Sequence, residues 1–463
     1  MTPADMTATA LASAYRAKTL SPVEATESIL ARIDACAHLN AFCHIDAEPA
    51  LAAARASEAR LLEGKPIGPL DGIPVGIKDL ILTKNMPTRR GSLTTDPLAP
   101  QTDDAPVVAR LREAGCVLLG KTTTPEFGWK GVTDNRLTGV TRNPWNPDRT
   151  PGGSSGGAAV QVACGMGPIG IGTDGGGSIR IPSSFTGVFG FKPSYGRVPA
   201  WPASQVGTLA HTGPMTRSVA DAALAMTVIS GWDARDWTAL PAQNLDWASI
   251  TSFSLAGKRI AYSPDLGIAE VDPEVAALVR RAVERMEQLG ATVDEVDPGV
   301  GTQSEAIGVL WQAGCARGIV HLSEEQKAML DPGYRTACEN GARVTLAAYQ
   351  DAQAARFALG TKMRAFHTKY DFLVLPTMRG PAFEAGQNAP KRADGTFDVT
   401  WNAFCYQFNM TQQPAASIPC GFTASGLPVG LQIVGAMHDD IGVLGASHAV
   451  ERVLEPYRFP PLP

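Results

Sequence analysis

The chain has 463 residues, a formal net charge of −5 and a hydrophobic fraction of 44%. It contains no basic run or stripe, which argues against nucleic acid as a main partner. No stretch of 18 apolar residues occurs and the N-terminus lacks an apolar signal segment, so we expect no membrane partner and a cytoplasmic location. Eight cysteines without C-x-x-C or Cys/His spacing indicate reduced core residues and argue against a disulfide or zinc framework.

The N-terminal part is predicted to be helical. Ser21-Pro22-Val23-Glu24 is a capping box with proline at N1, and residues 47–63 form an alanine-rich run with charges on one side. No linker, repeat or low-complexity run divides the chain, which favours one large fold. We therefore expect a helical segment, residues 1–64, packed on a continuous catalytic core, residues 65–463.

The first candidate for chemistry is Lys78. Residues 73–77 are a short apolar run between Gly72 and Asp79, which predicts a buried strand with Lys78 at its end. A lysine there is partly desolvated, and lowering its pKa from about 10.4 to about 7–8 costs about 3–4 kcal/mol. Such an amine can accept a proton, although a solvated charge at a strand end is the simpler alternative.

A helix is predicted over residues 103–114, and CVLLGK after it predicts a strand. Residues 122–149 are loop-rich and contain four polar or aromatic side chains of interest. These side chains either contribute to a site or have a structural role only. These side chains are Glu126, Trp129, Asn135 and Trp145.

The stretch from Pro151 to Ser178, PGGSSGGAAVQVACGMGPIGIGTDGGGS, contains ten glycines before Gly177. Glycine at this density indicates backbone brought close to a ligand, with N–H groups pointing at a developing charge. A serine within such a loop presents its hydroxyl at the same place. Its serines are Ser154, Ser155 and Ser178.

Three other interpretations of this stretch lack support. GGSSG fits the G-x-S-x-G nucleophile elbow, but RNPWNPDRTP precedes it where a buried strand is needed. GIGTDG fits a dinucleotide fingerprint, but no Asp or Glu follows between Gly175 and Ala220 to hold a ribose. No Ser is followed three residues later by Lys, so the penicillin-binding pattern is absent. None of the seven histidines lies in a motif suited to activating a serine.

The second half of the chain predicts the fold class. After a capped helix over residues 218–229, KRIAYS, DPEVAALVRRAVERMEQLG and ATVDEVD follow as strand, helix and strand. A long helix over residues 345–370 leads to DFLVLPT, then AASIPC and GLQIVG close the sheet before a last helix from Asp440. The pattern predicts an α/β fold, a central mixed sheet covered by helices on both faces. Residues 302–345 and 379–404 show only weak periodicity.

The chain resembles the amidase signature family on PLDGIPVGIKD, PGGSSGG, GTDGGGSIRIPSSFTGVFGFKPSYGRVP, QPAASIPCGF and GLPVGLQIVG, from about residue 20 to about residue 454. The resemblance implies that Ser178 is the nucleophile that accepts the acyl group. It implies that Ser154, after a cis peptide bond to Gly153, bridges Ser178 to the base Lys78.

The resemblance also implies an oxyanion hole formed by the backbone N–H groups of Gly175, Gly176, Gly177 and Ser178. It further implies that residues 302–345 and 379–404 form the acyl or amine pocket. Those two segments contain Trp311, Tyr334, Phe397 and Trp401.

Three neighbouring residues have supporting roles in this interpretation. Asp174 and Arg180 are charged residues in an apolar, glycine-rich setting, where they either orient the loop or form an ordinary ion pair. Ser155 either hydrogen-bonds the loop or Asp174, or caps the following helix.

These observations predict a serine-dependent amidase without metal or organic cofactor, acting on a small-molecule carboxamide, anilide or carbamate as a monomer or homodimer. Apolar and aromatic residues around the expected pocket favour a hydrophobic or aryl substrate. One alternative is the glutaminase subunit of a tRNA-dependent amidotransferase, which Ala158 and Gln412-Gln413 argue against because that subfamily differs there. The other is a non-catalytic binding scaffold, which the intact Lys78, Ser154 and Ser178 argue against.

Overall fold

The computed structural model describes residues 2–392 and 394–462. In these residues the strands are β1 (Phe42–Ile45), β2 (Pro74–Lys78), β3 (Val117–Thr122), β4 (Asp134–Asn135), β5 (Gly139–Val140), β6 (Ile169–Asp174), β7 (Phe189–Lys192), β8 (His211–Thr216), β9 (Arg259–Tyr262), β10 (Thr292–Glu295), β11 (Phe372–Pro376), β12 (Ala415–Phe422) and β13 (Pro428–Gly435). The α-helices are α1 (Ala8–Arg16), α2 (Pro22–Ala35), α3 (Ala47–Leu62), α4 (Pro106–Glu113), α5 (Gly156–Ala163), α6 (Arg180–Thr186), α7 (Val219–Ile229), α8 (Pro273–Gln288), α9 (Ser304–Cys315), α10 (Glu324–Met329), α11 (Pro332–Gly341), α12 (Leu346–Phe366), α13 (Gln407–Met410) and α14 (Asp440–Glu451).

In the described residues, eleven strands form one mixed sheet in the order β1-β3-β2-β6-β8-β7-β12-β13-β11-β9-β10. Strand β2 runs parallel to β3 and β6, and β9 runs parallel to β10 and β11, whereas the strands between these groups are antiparallel. The parallel strands β2, β3 and β6 are buried along almost their whole length, as expected when helices cover both faces. The predicted α/β fold with a central mixed sheet is therefore confirmed.

Alternate residues of one strand show the two covered faces. In β11, Phe372 and Val374 belong to the core cluster that contains residues of α8 and α14, while Leu373 and Leu375 belong to the cluster that contains residues of α9 and α12. Side chains alternate between the faces of a strand, so the two clusters lie on opposite sides of the sheet.

The segment of residues 1–64, predicted as helical, also supplies a strand, which corrects that prediction. Strand β1 pairs antiparallel with β3 at one edge of the sheet. Its four residues are too few for an alternating pattern to be recognised between two helices. Helix α2 does begin as predicted, because Ser21 and Glu24 exchange side-chain to backbone hydrogen bonds in a capping box.

The weakly periodic residues 302–345 contain α9, α10 and α11. Helix α9 follows Gln303, which has a left-handed backbone conformation and no capping hydrogen bond, so the usual start signal is missing. None of the helices in the described residues is both long and apolar enough to cross a membrane. All eight cysteines are free, and the described residues contain no cluster of three His, Cys, Asp or Glu side chains placed to hold a metal ion.

Candidate active site

Lys78 ends strand β2 and is completely buried. Its Nζ atom lies 2.7 Å from Ser154 Oγ, 2.8 Å from Ser155 Oγ and 2.9 Å from Thr173 Oγ1. Thr173 is near because β2 and β6 are parallel neighbours that end at the same edge of the sheet. Desolvation lowers the pKa of Lys78 well below its usual range, although nearby Asp174 acts in the opposite direction.

Ser155 is directed at Lys78 and does not cap a helix. It occupies the N-cap position of α5, but its side chain makes no capping hydrogen bond. Its hydroxyl donates to Thr173 O at 3.1 Å and accepts from Thr173 N at 3.2 Å. The helix-cap alternative is therefore wrong, and the contact with Lys78 was not anticipated. The peptide bond between Gly153 and Ser154 is cis, as the sequence resemblance implies.

Ser178 follows β6 after the glycine turn of residues 175–177 and is 6% exposed. Within residues 2–392 and 394–462 its hydroxyl has no hydrogen-bond partner, and no hydrogen bond joins it to Ser154. Its backbone carbonyl accepts from Ser155 N at 3.1 Å, which ties the turn to the start of α5. The structure thus brings Lys78, Ser154 and Ser155 into direct contact, and Ser155 N joins them to the turn that carries Ser178.

The four N–H groups expected in an oxyanion hole differ in availability. Gly177 N donates to Asp174 Oδ1 at 2.7 Å, so this N–H group is already engaged. The N–H groups of Gly175, Gly176 and Ser178 donate to no group in the part of the chain that the structure describes. Three of the four candidate donors therefore remain free to face a ligand oxygen.

Asp174 and Arg180 form a completely buried, bidentate ion pair, with Nε to Oδ2 and Nη2 to Oδ1 both at 3.0 Å. Burial alone raises the pKa of Asp174, but the Arg180 guanidinium outweighs it and holds that pKa below its usual range. The remaining Arg180 donors reach Cys405 O, Gln432 Oε1 and Asn409 Oδ1 at 2.6–2.9 Å. All five guanidinium donors are thus satisfied. Asp174 and Arg180 therefore form an ion pair and also orient the loop, so both alternatives apply.

Sequence reasoning missed three residues of this arrangement. Thr173 immediately precedes Asp174, so its position at the end of β6 was a usable signal. Asn409 and Gln432 lie 229 and 252 residues from Arg180 along the chain, and no local pattern connects them.

One histidine lies near the site. The His211 Nδ1 atom is 2.9 Å from Leu209 O and 3.2 Å from Asp174 O. Desolvation lowers the pKa of His211 well below its usual range. No histidine in the described residues is hydrogen-bonded to a serine of the glycine-rich stretch, so Lys78 is the base closest to these hydroxyls.

A cavity of about 660 Å³, here called the entrance cleft, reaches Thr173. Its apolar lining residues include Leu80, Phe127 and Trp201, and its polar lining residues include Arg90, Gln205 and Arg317. A Cβ atom added to Gly128 would lie 3.3 Å from Ser154 Oγ and 2.7 Å from Leu80 Cδ1, so this wall adjoins Ser154.

Two of the expected pocket aromatics do lie at the site. A Cβ atom added to Gly175 would lie 3.0 Å from Trp311 Cζ3, so this indole covers the glycine turn. Trp311 Nε1 donates to Trp129 O at 3.2 Å. Tyr334 stacks on Phe127, a cleft residue, with ring centroids 5.2 Å apart.

The other aromatic and polar candidates have different surroundings. Asn135 and Trp145 donate to backbone carbonyl groups, as a structural role requires. Trp401 stacks on Phe185, with ring centroids 6.1 Å apart, and Phe397 is 47% exposed.

Known proteins resemble this chain over almost its whole length. The family described as Amidase matches residues 24–444. An acylamidase from Rhodococcus erythropolis is 37% identical over 458 residues, covering 97% of this chain and 95% of that protein. A glutamyl-tRNA(Gln) amidotransferase subunit from Chloroflexus aurantiacus is 35% identical over 478 residues, covering 97% of both. The solved structure of a bacterial aryl acylamidase superposes with a TM-score of 0.89 at 31% identity, covering 96% of both chains.

Proposed function

The chain belongs to the amidase signature family, and from this premise we propose that it hydrolyses the C–N bond of a carboxamide, anilide or carbamate through an acyl-enzyme on Ser178. The observation that carries the proposal is the buried Lys78 amine, 2.7 Å from Ser154 Oγ and adjacent to the turn that carries Ser178. In this proposal the chain acts without a partner chain, metal or organic cofactor.

Counting protons around Lys78 supports its role as a base. A neutral amine has two N–H donors and one lone pair. Ser155 already uses its own proton on Thr173 O, so its oxygen accepts from Lys78, and the Thr173 oxygens accept the second N–H. When Lys78 is neutral, its lone pair can accept the proton of Ser154, whose Oγ lies 2.7 Å from Nζ. This arrangement allows a proton to pass from Ser154 to Lys78.

The proposed first step forms the bond between Ser178 Oγ and the carbonyl carbon of the substrate. Ser178 gives its proton to Ser154 Oγ, and Ser154 gives its own proton to Lys78 Nζ. The substrate oxygen becomes an oxyanion within reach of the free N–H groups of Gly175, Gly176 and Ser178. Loss of one such donor typically costs about 2.7–4 kcal/mol of barrier height.

The second step breaks the C–N bond. The proton returns from Lys78 through Ser154 to the leaving nitrogen, so the amine departs neutral and the acyl group remains on Ser178. Water then attacks the acyl-enzyme and gives its proton along the same route. The bond between the acyl carbon and Ser178 Oγ then breaks, and the proton returns from Lys78 through Ser154 to Ser178 Oγ. The carboxylic acid is released, and Lys78 is again neutral.

The surroundings of the turn support an apolar or aryl substrate. Trp311 covers Gly175, and Leu80, Phe127 and Trp201 line the entrance cleft. Flat apolar walls favour aromatic or aliphatic groups next to the scissile bond. The acylamidase and aryl acylamidase relatives support the same class of substrate.

A second candidate function is that of a glutaminase supplying ammonia to a tRNA-dependent amidotransferase. The similarity to the amidotransferase subunit from Chloroflexus aurantiacus supports it, at an identity close to that of the acylamidase. Such a chain would need partner chains for activity, whereas the first candidate would not.

One experiment separates these functions. The purified chain is given a primary aliphatic amide, an aromatic amide, an anilide, an aryl carbamate and glutamine, beside Ser178→Ala. Ser183→Ala is the matched control, because the Ser183 hydroxyl donates only to the backbone carbonyl of Ile179. We expect turnover by the wild type and Ser183→Ala, and none by Ser178→Ala. No turnover of any compound by the wild type would refute a stand-alone hydrolase and favour the partner-dependent glutaminase.

A further inference from the structure

The charged side chains that line the entrance cleft are all positive. Arg90 and Arg317 line it, and no Asp or Glu is among its lining residues. Neither guanidinium makes an ion pair or a side-chain hydrogen bond within residues 2–392 and 394–462. The chain as a whole carries a net charge of −5, so this positive cleft is a local feature and not a consequence of composition.

Arg90 is presented by an ordered loop. Its backbone N–H donates to Asp79 O at 3.1 Å and its carbonyl accepts from Phe127 N at 2.8 Å. The Asp79 carboxylate accepts from the N–H groups of Arg89 and Gly91 on either side. Asp79 directly follows Lys78, so the position of Arg90 is fixed relative to the proposed base.

Arg317 lies in the 3₁₀ turn Ala316–Ile319. The next residue, Gly318, packs so closely on Tyr334 that an added Cβ atom would overlap its hydroxyl. The Tyr334 hydroxyl donates to Gln205 Oε1 at 3.0 Å, and Gln205 also lines the cleft. The turn that carries Arg317 is therefore fixed to the cleft wall.

The buried carboxylate of Glu126 forms no ion pair with these arginines in the described residues. Glu126, next to Phe127, accepts from Ser92 Oγ and from Asp331 N, each at 2.5 Å. Its two oxygens are thus used to join the loop of residues 90–94 to the start of α11. The cleft keeps two free guanidinium groups beside apolar walls, a combination suited to an anion on an apolar molecule.

We propose that the substrate amide carries a carboxylate, which Arg90 and Arg317 bind in the entrance cleft while its apolar part lies against Leu80, Phe127 and Trp201. This inference rests on the proposed amide hydrolysis and narrows its substrate class. An arginine fork pairs with a carboxylate through two parallel hydrogen bonds, which gives orientation as well as affinity.

The test uses two matched pairs of amides. On the acyl side, N-phenylsuccinamate is compared with N-phenylbutanamide, and on the amine side 4-acetamidobenzoate is compared with 4-acetamidotoluene. The readout is the ratio of kcat/KM for the carboxylate to kcat/KM for its neutral partner. We expect this ratio to exceed 1 in at least one pair and to fall about 10-fold or more in Arg90→Gln and Arg317→Gln. Salt should reduce the ratio, because both groups are partly exposed.

Arg343→Gln is the control, since this change removes the same charge from an exposed position outside the cleft. It should leave the ratio unchanged. A ratio of 1 or less in both pairs, or a ratio that the two cleft variants do not alter, would overturn the proposal.

A separate measurement distinguishes failure of this proposal from failure of the proposed hydrolysis. Ser178→Ala is titrated with the same four compounds by calorimetry, so that binding is followed without turnover. Tighter binding of a carboxylate, lost on adding Arg90→Gln, would support the anion site even if no compound is hydrolysed. Equal affinity for both members of each pair would refute it.

Discussion

Replacing Asp174 with Asn removes the charge from the most deeply buried part of the site while keeping its shape. The carboxylate accepts hydrogen bonds from Gly177 N, Ile179 N, Asn409 Nδ2 and two nitrogens of Arg180, at 2.7–3.1 Å. An Asn side chain has a single acceptor oxygen, and its NH₂ group would face N–H donors. The Arg180 guanidinium would remain buried without a counter-charge.

Removing one member of a buried ion pair costs about 3–5 kcal/mol. Native proteins have a total unfolding free energy of about 5–15 kcal/mol, so Asp174→Asn should lose about a fifth of it or more. Urea denaturation of the variant and the wild type, followed by circular dichroism, measures this difference. Asp233→Asn is the control: Asp233 pairs with Arg235 at the surface, where such pairs contribute about 0–1 kcal/mol.

The same variant has a second, independent readout. The Asp174 carboxylate raises the pKa of Lys78, opposing the larger effect of desolvation. Without that charge the pKa of Lys78 falls further, so the neutral amine persists to lower pH. The acidic limb of the pH profile of kcat/KM should therefore move to lower pH in Asp174→Asn. A loss of stability below about 1 kcal/mol, or a limb that stays in place or moves to higher pH, would refute the role given to this pair.

Three further predictions concern the same loop. The value of kcat/KM should rise with pH as Lys78 loses its proton, at a pH well below the usual lysine pKa of about 10.4. Lys78→Met should lower kcat/KM by about 100-fold or more at every pH. A kcat/KM that rises only near pH 10 would contradict this role for Lys78. Ser155→Ala should lower kcat by about 10- to 100-fold, because Lys78 loses the acceptor that sets its lone pair towards Ser154, and unchanged kcat would exclude this role. Gly177→Ala should lower the unfolding free energy by about 1–3 kcal/mol, since the new Cβ would lie 2.6 Å from Cys405 Cβ and the residue has a φ of +120°. Gly176→Ala should lower it less, because no atom lies nearer than 3.8 Å to the new Cβ. Thermal denaturation of both variants measures the difference.

The parts of the fold that depend on local signals could be predicted from the sequence. The strand ending at Lys78 and the helix predicted from DPEVAALVRRAVERMEQLG are both found where the pattern places them. Strand β1 and helix α9 were missed because one is four residues long and the other starts without a cap. Periodicity needs several turns or strand residues before it can be distinguished from chance.

The site residues likewise divide into those that a local sequence pattern predicts and those that it does not. The glycine-rich stretch identified the serines, because glycine density and serine position are local features of the sequence. The partners of Arg180 could not be found, since Asn409 and Gln432 reach it only once distant strands have paired. The direction of the Ser155 side chain was also beyond prediction, because an N-cap position permits a capping bond without requiring one.

The most direct test of the central claim is a peptide mass map of the chain after reaction with a slowly hydrolysed aryl carbamate. We expect one carbamoyl group per chain on Ser178, formed when Ser178 Oγ attacks the carbamate carbon and the phenol leaves with the proton, and no adduct on Ser178→Ala. An adduct on another residue, or continued hydrolysis by Ser178→Ala, would contradict the acyl-enzyme assigned to Ser178.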